Sequence, residues 1–374
     1  MSEVLDLLTE LVRHRSVAAD EGVLARRAAA RLEDAGFAVA LHHWQQGREQ
    51  LVARTGGDAP LTLTGHLDTV PADPDQWTLD PWAAERDGDR VLGRGSSDMK
   101  SGVAALLIAA MGHAARSHRC RGVQVVLTAG EETGCTGAAT LPREALAPGG
   151  PLLVAEPTAN RLLPGHKGAH WMRLTTAGVA AHGSAPELGD NAAVRAAKAA
   201  VALHEYDGWP VHEVFGRVTA NVGVLRGGVQ PNVVPDIAEL LLDVRTVPGS
   251  DPSALRTFVS ELAGDAVVVE DHVVLPVVDT DPADPFVVLV RGALQAAGLD
   301  DVPAPPARYF TDASVLASLL ADGGGVPGPT VVLGPGEPEQ CHVVDEWCSA
   351  VKVEVAVEVY SSLFDRWCTG PAPR

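Results

Sequence analysis

His66 and Asp68 stand at i and i+2 just after Leu61-Thr62-Leu63-Thr64, whose alternation of apolar and hydroxyl residues predicts a half-buried strand. Their side chains should then project from one face. One nitrogen of an imidazole so placed can hold a metal ion while the carboxylate accepts a hydrogen bond from the other, fixing the tautomer and raising ligand basicity. The competing reading is a hydrogen-bonded surface pair. Downstream, Gly95-Ser96-Ser97-Asp98-Met99-Lys100 places a carboxylate directly before a helix predicted over 99–116, where Asp98 serves either as a ligand or as a helix N-cap.

Four further residues extend the pattern. Glu131 and Glu132 follow a predicted strand over 123–128 and are bracketed by Gly130 and Gly134. Adjacent carboxylates cannot share one direction, so one can ligate while its neighbour takes a proton from an attacking water; a solvated acidic turn is the alternative. Glu156 ends a strand predicted over 151–155 and precedes Pro157, where a solvated loop acid is the alternative. His342, after Gly334-Pro335-Gly336 and Cys341, is by itself a loop histidine. A two-metal hydrolytic site needs each ion held by a few His or carboxylate ligands, one ligand shared, and an open position for water. His66, Asp98, Glu132, Glu156 and His342 supply that set.

The elements that must position these residues follow an α/β alternation. A chain of 374 residues is long enough for two domains, or one domain carrying a large insertion. Helices are predicted near 3–14 and 20–35, the second stopped by Gly36, then strands near 37–43, 50–55 and 60–65. With the helix at 99–116 and the strands at 123–128 and 151–155, this is a layered α/β fold. Ligands in open α/β sheets sit beyond the carboxyl ends of the strands, which is where the acidic and imidazole clusters fall. Residues 169–279 differ. A strand (171–176), a helix (191–204), two strands (218–225, 237–244), a helix (252–262) and a strand (266–274) follow the order of a ferredoxin-like α+β unit, with a sheet edge and helix face available to a second copy. After Pro282 the alternation resumes and closes with a helix near 345–364. The expected architecture is a catalytic domain, 1–168 and 280–374, with a central mixed sheet flanked by helices, interrupted by an inserted domain at 169–279.

Composition excludes other classes. A formal net charge of -19 repels phosphate polymers and anionic lipid, and no basic stripe offsets it, so nucleic acid is not an expected partner. That charge suits a cationic substrate, although solubility also accounts for it. The longest apolar run, 103–111, is about half of a membrane span, so no membrane helix is expected. Met1-Ser2-Glu3 lacks a basic n-region, and the helical spacing of Val4, Leu5, Leu7, Leu8, Leu11 and Val12 reads as a folded start. Cys120, Cys135, Cys341, Cys348 and Cys368 are odd in number and scattered, which points to reduced thiols and a cytoplasmic location. Cys135 and Cys341 lie close to candidate site residues, as thiols able to capture soft metals or as small buried hydrophobes.

Together Gly65 to Pro71, Gly93 to Gly102, Glu131-Glu132-Thr133, Glu156-Pro157-Thr158 and Gly334-Pro335-Gly336 with His342 resemble the acetylornithine deacetylase and succinyl-diaminopimelate desuccinylase family of dinuclear zinc hydrolases. Aminoacylases and glutamate carboxypeptidases are its relatives. The resemblance spans about residues 4–364, with the motifs in the family's order. It implies that His66 and Glu156 hold one zinc, that Glu132 and His342 hold the other, and that Asp98 bridges them, with cobalt or manganese as substitutes. It also implies that Glu131 is the general base, that Asp68 orients His66, and that the Asp98–Met99 peptide is cis.

In the inserted part, Ala181-His182-Gly183-Ser184, Pro231 to Pro235 and Asp243-Val244-Arg245 resemble the family's lid and dimerisation domain. The resemblance implies a homodimer in which His182 reaches a neighbouring subunit's site and stabilises an oxyanion, while Asn232 and Arg245 contact the substrate's free carboxylate. Taken alone, His182 is a loop histidine and Arg245 a surface charge. Tyr309-Phe310-Thr311-Asp312-Ala313 matches the family's Thr-Asp-Ala segment, preceded by positions that vary with substrate. The implied activity is removal of an acetyl or succinyl group from an N-acyl amino acid in amino-acid biosynthesis, acetylornithine being the leading substrate. A dinuclear zinc dipeptidase or carboxypeptidase is the nearest rival, and a non-catalytic metal-binding scaffold is a rival from another class.

Overall fold

Strand Leu61–His66 is buried along its whole length, not on one face alone. The computed structural model describes residues 2–17, 20–116, 121–300, 302 and 304–369, and the reason lies in the strand's place in its sheet. Among these residues a six-stranded sheet runs in the order Ala38–Gln45, Arg48–Thr55, Val123–Thr128, Leu61–His66, Leu152–Val154, Thr330–Val332. The last four strands are parallel, and the first two join antiparallel. A parallel sheet centre is covered on both faces, so its strands lose the one-sided pattern that alternation suggests. Thr62 keeps its hydroxyl satisfied, accepting from Gln124 Nε2 at 3.0 Å.

Successive strand residues feed two apolar layers. Leu61, Leu63, Val123, Val125 and Leu127 pack with helices Glu3–Arg13, Glu21–Asp34, Ser101–Arg116, Pro285–Ala296 and Ala350–Thr369. Val126, Val154 and Val332 pack with helix Ala313–Leu320. In the first helix Val4, Leu5, Leu7, Leu8, Leu11 and Val12 form the buried stripe that their spacing predicts.

Two helix starts differ from expectation. The helix expected from Met99 begins at Ser101, after a wide turn over Ser96–Lys100 in which Asp98 has φ -114°, ψ 92°. The last helix begins at Ala350, not near 345. Trp347–Ser349 instead pairs with Arg90–Leu92 as a short strand, and Asp89 and Ser349 receive the free N–H groups of the helix start, Val351 N–H donating to Asp89 Oδ1 and Lys352 N–H to Ser349 Oγ.

The chain divides into two units, one of residues 1–165, 278–307 and 311–374, the other of 166–277 with 308–310. In the second, an antiparallel four-stranded sheet has the order Thr219–Gly227, Ile237–Thr246, Gly168–Ala177, Val267–Leu275. With helices Ala192–Glu205 and Pro252–Ala263 this is a β-α-β-β-α-β unit whose first and third strands are central. Along Ile237–Thr246 alternate residues Ala238, Leu240, Leu242 and Val244 are buried, as a sheet covered on one face requires. Both helices carry side-chain N-caps, Asn191 accepting from Val194 N–H and Asp251 from Ala254 N–H.

Among the described residues no helix is long and apolar enough to cross a membrane. Among the described residues Cys135, Cys341 and Cys348 are free thiols; Cys135 is buried and Cys341 only half-buried. Cys120 lies outside the described residues.

Candidate active site

Parallel strands deliver the candidate residues to one edge of the sheet. His66 ends its strand level with Thr128 of the neighbouring strand, and Glu131 and Glu132 follow just beyond. On the other side Thr64 pairs with Val154, which carries the chain to Glu156. Val154 in turn pairs with Val332, after which the loop containing His342 begins.

The side chains meet in two triads that share one member. His66 Nε2 lies 3.2 Å from Asp98 Oδ1 and 3.8 Å from Glu156 Oε1. His342 Nε2 lies 3.3 Å from Asp98 Oδ2 and 3.0 Å from Glu132 Oε2. In each triad the ligand atoms lie within 4.8 Å of one another. Asp98 therefore offers one oxygen to each group. This disposes of the helix-cap alternative, because the carboxylate faces two imidazoles and its residue is not helical. The Asp98–Met99 peptide is cis.

Asp68 is placed differently from the simple picture of a carboxylate behind an imidazole. His66 Nδ1–H donates to the main-chain oxygen of Asp68 at 2.9 Å, and Asp68 Oδ1 is 3.7 Å from the same nitrogen. The carboxylate accepts instead from the N–H groups of Gly130 (2.8 Å), Glu131 (3.3 Å) and Glu132 (3.2 Å). It fixes the turn that carries both glutamates. Gly130, at φ 77°, is needed there, since a Cβ would lie 2.7 Å from Trp44.

The crowding of acids decides the electrostatics. Burial, then repulsion from Glu156, Glu132 and Asp312, pushes Glu131 well above the usual carboxylate range against the pull of His66. Glu156 is likewise raised, first by burial, and Glu132 also. Burial also opposes the charge on Asp98, but hydrogen bonds from His342 and His66 outweigh it and hold its pKa low. His342 is pushed up to about 10 by its bonds to Asp98 and Glu132. Buried carboxylates facing one another need positive charge between them, and here protons supply it. Two divalent cations would do so better: each triad presents oxygen and imidazole donors with one bridging carboxylate, a set suited to zinc and to harder divalent ions.

Two residues of this neighbourhood are not among the sequence candidates. Glu346 is fully buried, and its carboxylate accepts from Arg94 Nη1 (2.7 Å) and from the N–H groups of Gly95 (2.9 Å), Ser97 (2.8 Å) and Asp98 (3.0 Å). Burial, opposed by those donors, pushes it up to about 7. Asp312 is buried, accepts from Thr128 Oγ1 at 2.5 Å, and is pushed up to about 6, chiefly by burial. Asp345-Glu346, shortly after His342, reads in sequence as a solvated turn, so Glu346 does not stand out; Asp312 lies in the Thr311-Asp312-Ala313 segment noted above, to which the sequence assigns it no role of its own.

The remaining candidates lie in the second unit. His182 is exposed, and its Nδ1 accepts from Ser184 N–H at 3.2 Å, which leaves the neutral ring its proton on Nε2. Its turn pairs with the segment holding Asn232, Gly183 N–H donating to Asn232 O at 2.7 Å. Arg245 Nε donates to both carboxylate oxygens of Asp243, 3.0 and 2.9 Å away, and its guanidinium lies 4.7 Å over the Phe310 ring. The fork is thus fixed at its base.

Comparison with known proteins identifies the family. Residues 62–366 match the model of peptidase family M20/M25/M40. Acetylornithine deacetylase of Vibrio atlanticus is 30% identical over 353 residues, covering 90% of this chain and 89% of that protein. A Staphylococcus aureus protein named "Probable succinyl-diaminopimelate desuccinylase" is 28% identical, over 84% of this chain and 86% of its own. An M20 family metallo-carboxypeptidase from Sulfolobus solfataricus shares the fold with a TM-score of 0.80 at 18% identity, over 98% of this chain and 99% of the other. With most of its length matched and two candidate metal-ligand triads at its sheet edge, the chain belongs to peptidase family M20/M25/M40 and is a hydrolase of that family.

Proposed function

We propose that this enzyme removes a small N-acyl group, acetyl or succinyl, from an amino acid that keeps its α-carboxylate, with acetylornithine as the first candidate substrate. The observation that carries the reading is Asp98, whose two oxygens serve two separate triads beside the buried Glu131. Both relatives near 30% identity bear names for the removal of an acyl group from an amino acid.

His66, Glu156 and Asp98 would hold one divalent cation, zinc in our reading, and Glu132, His342 and Asp98 the other. When bound, the pair supplies Lewis acidity and makes water easier to deprotonate. Glu131 takes the proton from the attacking water and returns it to the leaving amine. Asp68 keeps Glu131 in place through the turn's N–H groups. His182, with its proton on Nε2, donates to the oxyanion. Arg245 and Asn232 bind the carboxylate, the guanidinium in a bidentate manner.

His182 acts in this scheme from a second subunit. Helix Ala192–Glu205 exposes Val194 and Val201, 50% and 53% accessible and seven residues apart on one face, which supports a homodimer formed through this unit. The free thiols of Cys135, Cys341 and Cys348 suit a reducing compartment, the cytoplasm.

The test is kcat/KM across acetyl, succinyl, formyl and aminoacyl derivatives of ornithine, lysine, diaminopimelate, glutamate and neutral amino acids, run beside metal analysis. Preference for acetyl or succinyl compounds is the expected result. Preference for aminoacyl compounds would replace it with the peptidase reading, and inertness with two bound metals would leave a scaffold.

A further inference from the structure

Four hydrogen bonds converge on the carboxylate of Glu346, and three of their donors belong to the turn that presents Asp98. Oε1 takes the N–H groups of Ser97 and Asp98; Oε2 takes Gly95 N–H and the Arg94 guanidinium. Glu346 itself belongs to the loop that holds His342, four residues earlier. A second link joins the same two segments. Ser97 Oγ donates to Trp347 O at 2.8 Å and accepts from Glu337 N–H at 2.9 Å, on the two sides of His342. Gly95 opens that turn at φ 81°, close against Thr69, where a Cβ would lie 2.5 Å from Thr69 Cγ2. His66 and Glu156, by contrast, take their places from adjacent parallel strands.

We propose that Glu346 is a positioning residue that sets the separation of Asp98 and His342, and through it the affinity of the cation triad formed by Asp98, Glu132 and His342. The inference rests on the two-cation reading above. Orientation of ligands by their hydrogen-bonded neighbours is commonly worth about 10- to 100-fold in metal affinity. In Glu346→Gln one oxygen remains as an acceptor, while the amide NH₂ is turned against donors. Two of the four bonds are lost at nearly unchanged volume. The loss should fall on one cation more than the other, because only one triad takes a second ligand from the clamped loop.

The experiment compares wild type with Glu346→Gln by zinc titration against a competing chelator, by the visible spectrum of the cobalt-loaded protein, and by amide hydrogen exchange of the metal-free protein. Expected in Glu346→Gln are one equivalent held as in wild type and one weakened about 10- to 100-fold, a changed cobalt spectrum, a lower kcat at unchanged KM, and faster exchange at Ser97 and Asp98. Ser97→Ala, which removes only the second link, should weaken the same equivalent to a smaller degree. Two equivalents bound with wild-type affinity by Glu346→Gln would overturn the proposal, as would equal weakening of both. Wild type binding fewer than two equivalents would instead sink the two-cation reading; unchanged exchange at Ser97 and Asp98 would then still reject the positioning role.

Discussion

His66 is oriented by the backbone of Asp68 and not by its carboxylate: the imidazole Nδ1–H reaches the Asp68 carbonyl oxygen at 2.9 Å, while the Asp68 side chain accepts the N–H of Gly130 at 2.8 Å. One residue thereby fixes a ligand through its main chain and the Glu131–Glu132 turn through its side chain. Asp68→Asn keeps the carbonyl and one acceptor oxygen but loses the charge that gathers three N–H groups. It should retain both metals and lose about 10- to 100-fold in kcat. Metal content by elemental analysis beside steady-state kinetics checks this, and a loss of metal with kcat per bound metal unchanged would contradict it.

Glu131 makes no contribution to either triad, so Glu131→Ala should leave metal content intact. Its kcat should fall by at least about 100-fold, the lower end for loss of a general base. A variant that turns over near the wild-type rate would remove Glu131 from the mechanism.

If His182 completes the site of a second subunit, two inactive proteins should repair one another. Mixing Glu131→Ala with His182→Ala subunits under conditions of exchange creates hybrid dimers with one intact site. The expected outcome is activity above that of either parent, rising toward a plateau with the mixing ratio. No gain in any mixture whose hybrids are shown to form would contradict the shared site.

Asp312 gives the metal-free protein a pH dependence with a definite sign. Its pKa is about 6 folded against 3.8 for the free group, so the folded state binds the extra proton. The stability linked to that proton is fully present below about pH 3.8 and is lost as pH rises through 6. Asp312→Asn mimics the neutral acid. It should gain roughly 2–3 kcal/mol over metal-free wild type at pH 8 and almost nothing at pH 4. Urea denaturation of the two proteins at both pH values checks it, and a gain that is equal at both would exclude Asp312 as the cause.

The candidate ligands His66, Asp98, Glu132, Glu156 and His342 could be picked out in the sequence because each follows a strand end or a turn, where Gly65, Gly95, Gly130 and Gly334 mark the bends of the chain. The same is true of the order of elements, since the periods of helices and strands are properties of short segments. Burial of both faces of Leu61–His66 was not legible, because it depends on what covers the strand, and neither was the start of the last helix, which Asp89 determines from far away in sequence.

The sequence by itself thus determined which residues could hold metals and act as a base, and the alternation of elements that brings them to strand ends. Only the tertiary structure decided that Asp98 divides its oxygens between two imidazoles, that Asp68 serves the Glu131 turn, and that Glu346 grips the turn presenting Asp98. The physical reason is that a carboxylate can satisfy four acceptor sites with donors from any part of the chain, and neither its direction nor its burial is written in its neighbours.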